Sequence, residues 1–143
     1  MELICFESDY LKLYFDEETK LARAVWNGFL SGETMHNAVK QCIILIEEKN
    51  PVGWLADNRK LKAIRQKDQE WISENLMPRL AASSLRKLAT LISEDLFSQM
   101  AVESLYTKAS ELIHFDHQYF KFETEAYKWL LNEQHKNYFQ LGL

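Results

Sequence analysis

The sequence predicts a single-domain α/β protein whose mixed β-sheet opens with an antiparallel hairpin and continues with alternating helices and strands. Two observations lead to this class. The first thirty residues alternate with the two-residue period of strands, and from about residue 31 onward helical spacing alternates with short apolar runs. Neither a Gly/Ser linker nor an internal repeat interrupts this order, so residues 1–143 are expected to form one domain.

Three strands are predicted in the opening segment, at residues 3–6, 10–15 and 21–26. The polar stretch Asp16 to Thr19 is typical of a hairpin turn. Asn27-Gly28 ends the third strand, because this pair readily reaches positive φ. The hairpin implies antiparallel pairing at this end of the sheet.

A helix is predicted to begin with Ser31 as its N-cap and to end near Asn50, because Pro51 disfavours helical geometry in the preceding residue. Residues 52–56 then form a central strand, followed by a basic connector from Lys60 to Lys67. The later elements are a helix capped by Asp68 and ended or kinked at Pro78, a strand at 87–92, a helix at 96–112 through Phe97, Ala101, Leu105, Ala109 and Leu112, a strand at 118–122 and a last helix capped by Thr124.

Composition narrows the function classes. The chain has 143 residues, 27% of them charged, and a net charge of -4 at pH 7, which disfavours nucleic-acid binding. We expect a cytoplasmic protein without a membrane span, because the chain opens without a leader pattern and its apolar stretches fall short of about 18 residues. Cys5 and Cys42 lack CxxC spacing and are expected to be buried free thiols.

The order of elements, together with three local signatures, resembles the STAS family, named for sulfate transporters and anti-sigma-factor antagonists, and in particular its SpoIIAA-like branch. The signatures are Trp26-Asn27-Gly28 before the first helix, Trp54-Leu55-Ala56-Asp57 ending a central strand, and Phe122 followed by the run from Ala126 to Leu130. Together they span nearly the whole chain in the right order. The resemblance implies a STAS-like domain over residues 1–143.

The resemblance also implies a mostly non-catalytic, bacterial-type regulator that docks onto kinase or transporter partners. Several family members are switched by phosphorylation of a serine at the start of the helix after the central strand. This chain departs from the pattern, since residues 57–68 contain neither serine nor threonine. Asp57 matches the acidic residue that the family commonly has at the strand end, so a docking role carries over while the phosphoswitch does not.

The polar residues after the predicted central strand are the main candidates for binding a partner or ligand. Open α/β sheets present ligands beyond the carboxyl ends of their strands. The alternative is an ordinary turn in which Arg59 pairs with Asp57. The candidates are Asp57, Asn58, Arg59, Lys60, Lys62 and Arg65, whose cations are expected to form a rim for an acidic partner or a lipid headgroup.

The stretch from His114 to His117 offers two imidazoles and a carboxylate, from His114, Asp116 and His117. These are zinc-ligand types, but the spacing matches neither a zincin nor a finger, and the alternative is a polar loop before the last strand. His36 and His135 are expected on exposed helix positions, away from any nucleophile motif. The four glycines form neither GxGxxG nor a Walker loop, so no cofactor is predicted.

Two functional hypotheses remain open, and an enzyme is the third choice. The first is a protein-interaction module that docks through the Asp57 to Lys67 loop and the start of the next helix. The second is a carrier of a lipid or another small apolar ligand, held between helices and sheet. Aromatic side chains could line such a pocket, but core packing is the simpler expectation for Trp54, Trp71 and Trp129. If the hairpin exposes Tyr10 and Tyr14, a homodimer surface is expected there.

Overall fold

Within the described residues, one six-stranded mixed sheet organises the structure, in agreement with the predicted fold class. The computed structural model describes residues 1–132. The strands lie in chain order across the sheet, and helices alternate with the later ones. The elements are β1 (Glu2–Glu7), β2 (Leu11–Asp16), β3 (Leu21–Gly28), α1 (Glu33–Lys49), β4 (Gly53–Leu61), α2 (Gln66–Asn75), α3 (Met77–Ala81), β5 (Lys87–Leu91), α4 (Leu96–Lys108), β6 (Asp116–Phe120) and α5 (Glu123–Leu131).

The sheet changes from antiparallel to parallel pairing at β3. Strands β1, β2 and β3 pair as an antiparallel meander, whereas β3 to β6 are parallel neighbours. Parallel neighbours need crossover connections. Helix α1 supplies the crossover from β3 to β4, α2 with α3 that from β4 to β5, and α4 that from β5 to β6.

The two faces of the sheet carry separate apolar clusters. The larger cluster joins strand residues such as Phe15, Trp54 and Leu88 to residues of α1, α2, α3 and α4, and we call this side the helix-covered face. The smaller cluster joins Leu55 and Leu91 to residues of α5, and we call this side the α5 face. Side chains alternate between the faces along each strand.

Several helix starts differ from the prediction. Gly32, not Ser31, precedes α1, and its φ of 55° is a conformation that favours glycine. Asp68 lies inside α2 rather than at its cap, and Thr124 is likewise inside α5, which has no side-chain cap. The predicted end of the first helix is confirmed, because α1 ends at Lys49 before Asn50 and Pro51.

The central strand is longer than predicted. Strand β4 continues to Leu61, because the backbone of residues 57–61 pairs with β3, and β5 pairs with it as far as Asp57. The predicted connector from Lys60 to Lys67 is therefore strand at one end and helix α2 at the other. Strand β6 begins at Asp116, two residues before the predicted start. Pro78 lies in the first turn of a separate helix, α3, a position that suits proline.

Burial also differs from the prediction at four residues. On α4, Ala101 and Leu105 are buried, but Phe97 is exposed, as is Leu112 beyond the end of the helix. Cys5 is exposed on β1, whereas Cys42 is buried as predicted, which raises the pKa of its thiol to about 12. His36 is half-buried because its ring stacks on Trp71 of α2, with ring centroids 3.9 Å apart. His135 lies outside the described residues.

Candidate functional site

The predicted polar tip is part of strand β4, and its residues do not share one side of the sheet. Because of the strand alternation, Asp57 and Arg59 lie on the α5 face, while Asn58 lies on the helix-covered face with Trp54 and Ala56. Asp57 is only 7% exposed and Asn58 only 6%. The structure thus divides the candidates between two environments, and neither Asp57 nor Asn58 is free to meet a macromolecular partner.

Asp57 is fully engaged by its neighbour Arg59. Its carboxylate accepts hydrogen bonds from Arg59 Nε at 2.9 Å, Arg59 Nη2 at 2.7 Å and the Arg59 backbone N–H at 3.2 Å. Arg59 Nη2 also donates to Glu123 of α5 at 3.2 Å. Burial by itself would raise the pKa of Asp57, but the Arg59 hydrogen bonds and charge outweigh it and leave the pKa below its ordinary value. The arrangement ties β4 to α5.

On the opposite face, Asn58 faces an apolar cavity of about 90 Å³. The cavity lies between the sheet and α1, α2, α3 and α4, and its lining includes Trp26, Trp54, Ile72 and Leu105. Among the described residues, Asn58 Oδ1 and Ser98 Oγ are the buried side-chain oxygen or nitrogen atoms that have no hydrogen-bond partner. Asn58 is the one of the two that lines the cavity.

The size of this cavity bears on the carrier hypothesis. The predicted position, between helices and sheet, is where the cavity lies. Its volume of about 90 Å³ is well below the roughly 300–1,000 Å³ of ordinary ligand pockets. A lipid acyl chain therefore does not fit this cavity without a rearrangement of the helices, whereas a molecule of a few non-hydrogen atoms does.

The cationic candidates behave differently from one another. Lys60 at the end of β4 pairs with Glu94 across an exposed 3.2 Å contact. Arg65 donates to Asp68 through Nε at 2.8 Å, and Asp68 in turn accepts from the Gly32 N–H at 3.1 Å, which joins the starts of α1 and α2. Hydrogen bonds from Arg65, with the Gly32 N–H and the Arg65 charge, hold the pKa of Asp68 below its ordinary value although burial opposes them. Lys62 is exposed in the connection that follows β4.

The candidate metal ligands do not converge. His117 lies on β6 with its Nε2 2.8 Å from Thr90 Oγ1, and its ring packs against Tyr106 and Tyr119. Burial lowers the pKa of His117 to about 4, so the ring is neutral at pH 7. His114 and Asp116 are exposed. Within residues 1–132, no group of three or more His, Cys, Asp or Glu side chains is placed to hold a metal ion.

An exposed apolar patch at the start of α4, absent from the predicted sites, is formed by Leu96, Phe97 and Met100. These side chains are 63%, 72% and 55% exposed. They share the outward side of the helix, because residues three and four apart are neighbours on a helix surface. The opposite side of α4 is also apolar and packs on the sheet through Ala101, Val102 and Leu105. We call these three exposed residues the α4 patch.

The α4 patch lies beside the candidate cations. The Glu94 N–H donates to the Arg59 carbonyl at 3.1 Å, and the Glu94 side chain holds Lys60. The Asp95 side chain then caps α4 by accepting from the N–H groups of Phe97 and Ser98. The patch thus begins two residues after the partner of Lys60. A sequence signal for it was present, since residues 96–105 are apolar around most of the helix rather than on one stripe.

The opening hairpin exposes part of the predicted dimer surface. Leu3, Ile4 and Tyr10 are exposed, and β1 is an edge strand whose outer side has no partner among residues 1–132. Tyr14 is half-buried instead, because the Arg23 guanidinium stacks over its ring at 4.0 Å. A bulge in β1 between Ile4 and Phe6 interrupts its pairing with β2. Such bulges discourage edge-to-edge association. A homodimer through this surface stays a prediction.

Comparison with known proteins returned no matching family model, no matching curated protein and no matching solved structure. In residues 1–132, every helix is too short or too polar to traverse a lipid bilayer.

Proposed function

We propose that the chain is a non-catalytic interaction module that docks a protein partner through the α4 patch, with Lys62 at the rim. The single observation that carries the proposal is the exposure of Leu96, Phe97 and Met100 on one side of a helix whose other side is already buried. Contiguous exposed apolar side chains with a polar border are typical of protein interaction sites. The STAS-like resemblance supports the same class of function, and it remains part of the proposal.

The proposed docking surface on α4 differs from residues 57–67, the segment that the sequence indicates. Asp57 and Asn58 are buried, and the Arg59 guanidinium is paired with Asp57 and Glu123, so we expect these residues to contribute to docking mainly by positioning β4. Lys60 is neutralised by Glu94 and Arg65 by Asp68. Lys62 is therefore the cation chosen to test the expected complementarity with an acidic partner, because its substitution breaks none of these pairs.

The test is capture of the tagged chain from its native cell extract, followed by titration of the captured protein in purified form. Phe97→Ser is the test variant. Leu112→Ser is the control, because it removes an exposed apolar side chain that lies beyond the other end of α4. We expect a partner that binds the parent and the control alike but binds Phe97→Ser at least fivefold more weakly, the effect of losing a contact worth more than about 1 kcal/mol. A partner held equally by all three would overturn the proposed surface.

The charge of the rim is tested separately with Lys62→Glu. This change is expected to slow association with the same partner and to weaken its dependence on salt, because rim charges act mainly on the association rate. Association rates measured at two ionic strengths give the answer. Unchanged rates for Lys62→Glu would remove the acidic partner from the proposal while leaving the α4 patch in it.

A further inference from the structure

The cavity behind β4 combines an apolar wall with one unsatisfied polar atom. Asn58 is 94% buried, and its Oδ1 accepts no hydrogen bond from any described residue. A buried polar group without a partner costs free energy and is uncommon in folded proteins. Its presence on the wall of a cavity points to an occupant that supplies the missing donor.

Water is a poor occupant of this cavity. A buried water needs two to four polar partners, whereas the lining is made almost entirely of apolar and aromatic side chains. An apolar molecule fills the space but leaves the Asn58 oxygen unsatisfied. A compact molecule with an apolar body and one hydroxyl satisfies both the wall and the amide.

Trp26 lies where the cavity approaches the surface of the protein. This side chain lines the cavity and also lines a surface groove of about 570 Å³ beside Lys12, Asn27 and Lys60. Trp26 is only partly buried and belongs to β3, so it stands between the interior and the groove. Trp26 is therefore the place at which we expect a ligand to enter.

We propose that this cavity is a binding site for a small apolar molecule bearing one hydroxyl group, which donates its hydrogen bond to Asn58 Oδ1. The site is independent of the α4 patch, because none of the three patch residues lines the cavity. The ligand class is set by volume and polarity: a body of a few carbon atoms for about 90 Å³, and one donor for one unpaired acceptor.

The test compares 1-propanol with 1-chloropropane, which replaces the hydroxyl by an atom that cannot donate. Binding is followed by the methyl resonances of Met35 and Met77 and by the fluorescence of Trp26 and Trp54, all of which line the cavity. We expect saturable binding of 1-propanol to the parent, three- to tenfold tighter than that of 1-chloropropane, the range that one net hydrogen bond supplies. A response that rises linearly with concentration is a solvent effect and counts as no binding.

Two variants separate the hydroxyl contact from the space. Asn58→Leu removes the acceptor and is expected to abolish the preference for 1-propanol, while Val102→Ile narrows the cavity, keeps Asn58 and is expected to weaken both probes. Equal affinity of the two probes for the parent, or no saturable binding of either, would overturn the proposal. So would long-lived water at Asn58, seen by water-to-protein magnetisation transfer and undisturbed by 1-propanol.

Discussion

The two faces of the sheet differ in how buried polar groups are hydrogen-bonded, and adjacent residues of β4 show the difference. On the α5 face, the Asp57 carboxylate receives three hydrogen bonds from Arg59. On the helix-covered face, the Asn58 oxygen receives none. At β4, the polar side chain on the α5 face is thus held by an ion pair, whereas the polar side chain on the helix-covered face is enclosed by apolar neighbours.

The same contrast appears between β3 and β6. On β3, Arg23 donates to both carboxylate oxygens of Glu2, at 2.9 and 2.8 Å. On β6, His117 is packed among aromatic rings with one hydroxyl contact to Thr90. Among these strand residues, the ionised pairs lie on the α5 face and the neutral, desolvated side chains of Asn58 and His117 lie on the helix-covered face. The faces should respond to acid in different pH ranges.

The largest expected effect is that of acid on His117. Its pKa is lowered to about 4 in the folded protein, against about 6.5 in an unfolded chain. The unfolded state binds the proton first, so stability is intact above pH 6.5 and is lost as the pH falls from 6.5 towards 4. A shift of this size corresponds to about 3 kcal/mol. Urea unfolding of the parent and of His117→Gln over this range should show a shallower decline in the variant.

The control for that experiment is His114→Gln, which removes an exposed imidazole three residues away. Gln at position 117 also loses ring contacts with Tyr106 and Tyr119, so the slopes with pH are compared rather than the absolute free energies of unfolding. If the free energy of unfolding changed with pH equally in the parent and in His117→Gln, His117 would not be desolvated, and the proposed difference between the faces would be wrong.

The second effect is that of Asp57→Asn. The Arg59 side chain is 40% exposed, so the pair lies between a surface pair and a buried one, and we expect a loss of about 2 kcal/mol at pH 7. Because the pKa of Asp57 is lowered in the folded state, its contribution is complete above the unfolded value of about 3.9 and disappears as the pH falls through the folded value. Urea unfolding at pH 7 and near pH 3 measures both quantities.

A matched control is Glu94→Gln, which breaks the exposed pair with Lys60. It is expected to cost less than about 1 kcal/mol. A double-mutant cycle with Asp57→Asn and Arg59→Gln then isolates the interaction between the two side chains. A coupling energy of less than about 1 kcal/mol, as expected for an exposed pair, would mean that partial burial does not strengthen the interaction of Asp57 with Arg59.

The elements of the fold were predictable because the signals for them are local. Alternation placed β2 and β3, and the end of α1 before Pro51 follows from the sterics of the residue preceding proline. The end of β4 was not predictable in this way. Polar residues 57–60 indicate a loop, but pairing of their backbone with β3 extends the strand to Leu61, and that pairing joins segments far apart in sequence.

The candidate site was predictable only in part. Continuing the two-residue alternation from Trp54 through Ala56 puts Asn58 on the same side, so the sequence held a signal for a polar residue at a core position. The contact of Arg59 with Glu123 had no such signal, because it depends on where α5 crosses the sheet. The exposure of Phe97 was missed for a similar reason, since both sides of α4 are apolar and the sheet covers only one.

Arg23→Gln is expected to have the smallest effect on the free energy of unfolding, and an effect confined to β1. Strand β1 is exposed along most of its length, so few apolar contacts hold it to the sheet. Arg23 reaches from β3 across Tyr14 of β2 to Glu2 of β1, and this contact spans three strands. The free energy of unfolding should fall by only about 1 kcal/mol or less, because the pair is partly solvated.

Hydrogen exchange distinguishes this local role from a global one. In Arg23→Gln, the amides of β1 are expected to exchange faster, while those of β4 keep the protection that reports global unfolding. Lys20→Gln, which breaks an exposed pair with Glu17, is the control and should leave β1 unchanged. Equal acceleration in β1 and β4 would show that Arg23 supports the whole sheet. The contact of Arg23 with Glu2 would then contribute to global stability and not only to the attachment of β1.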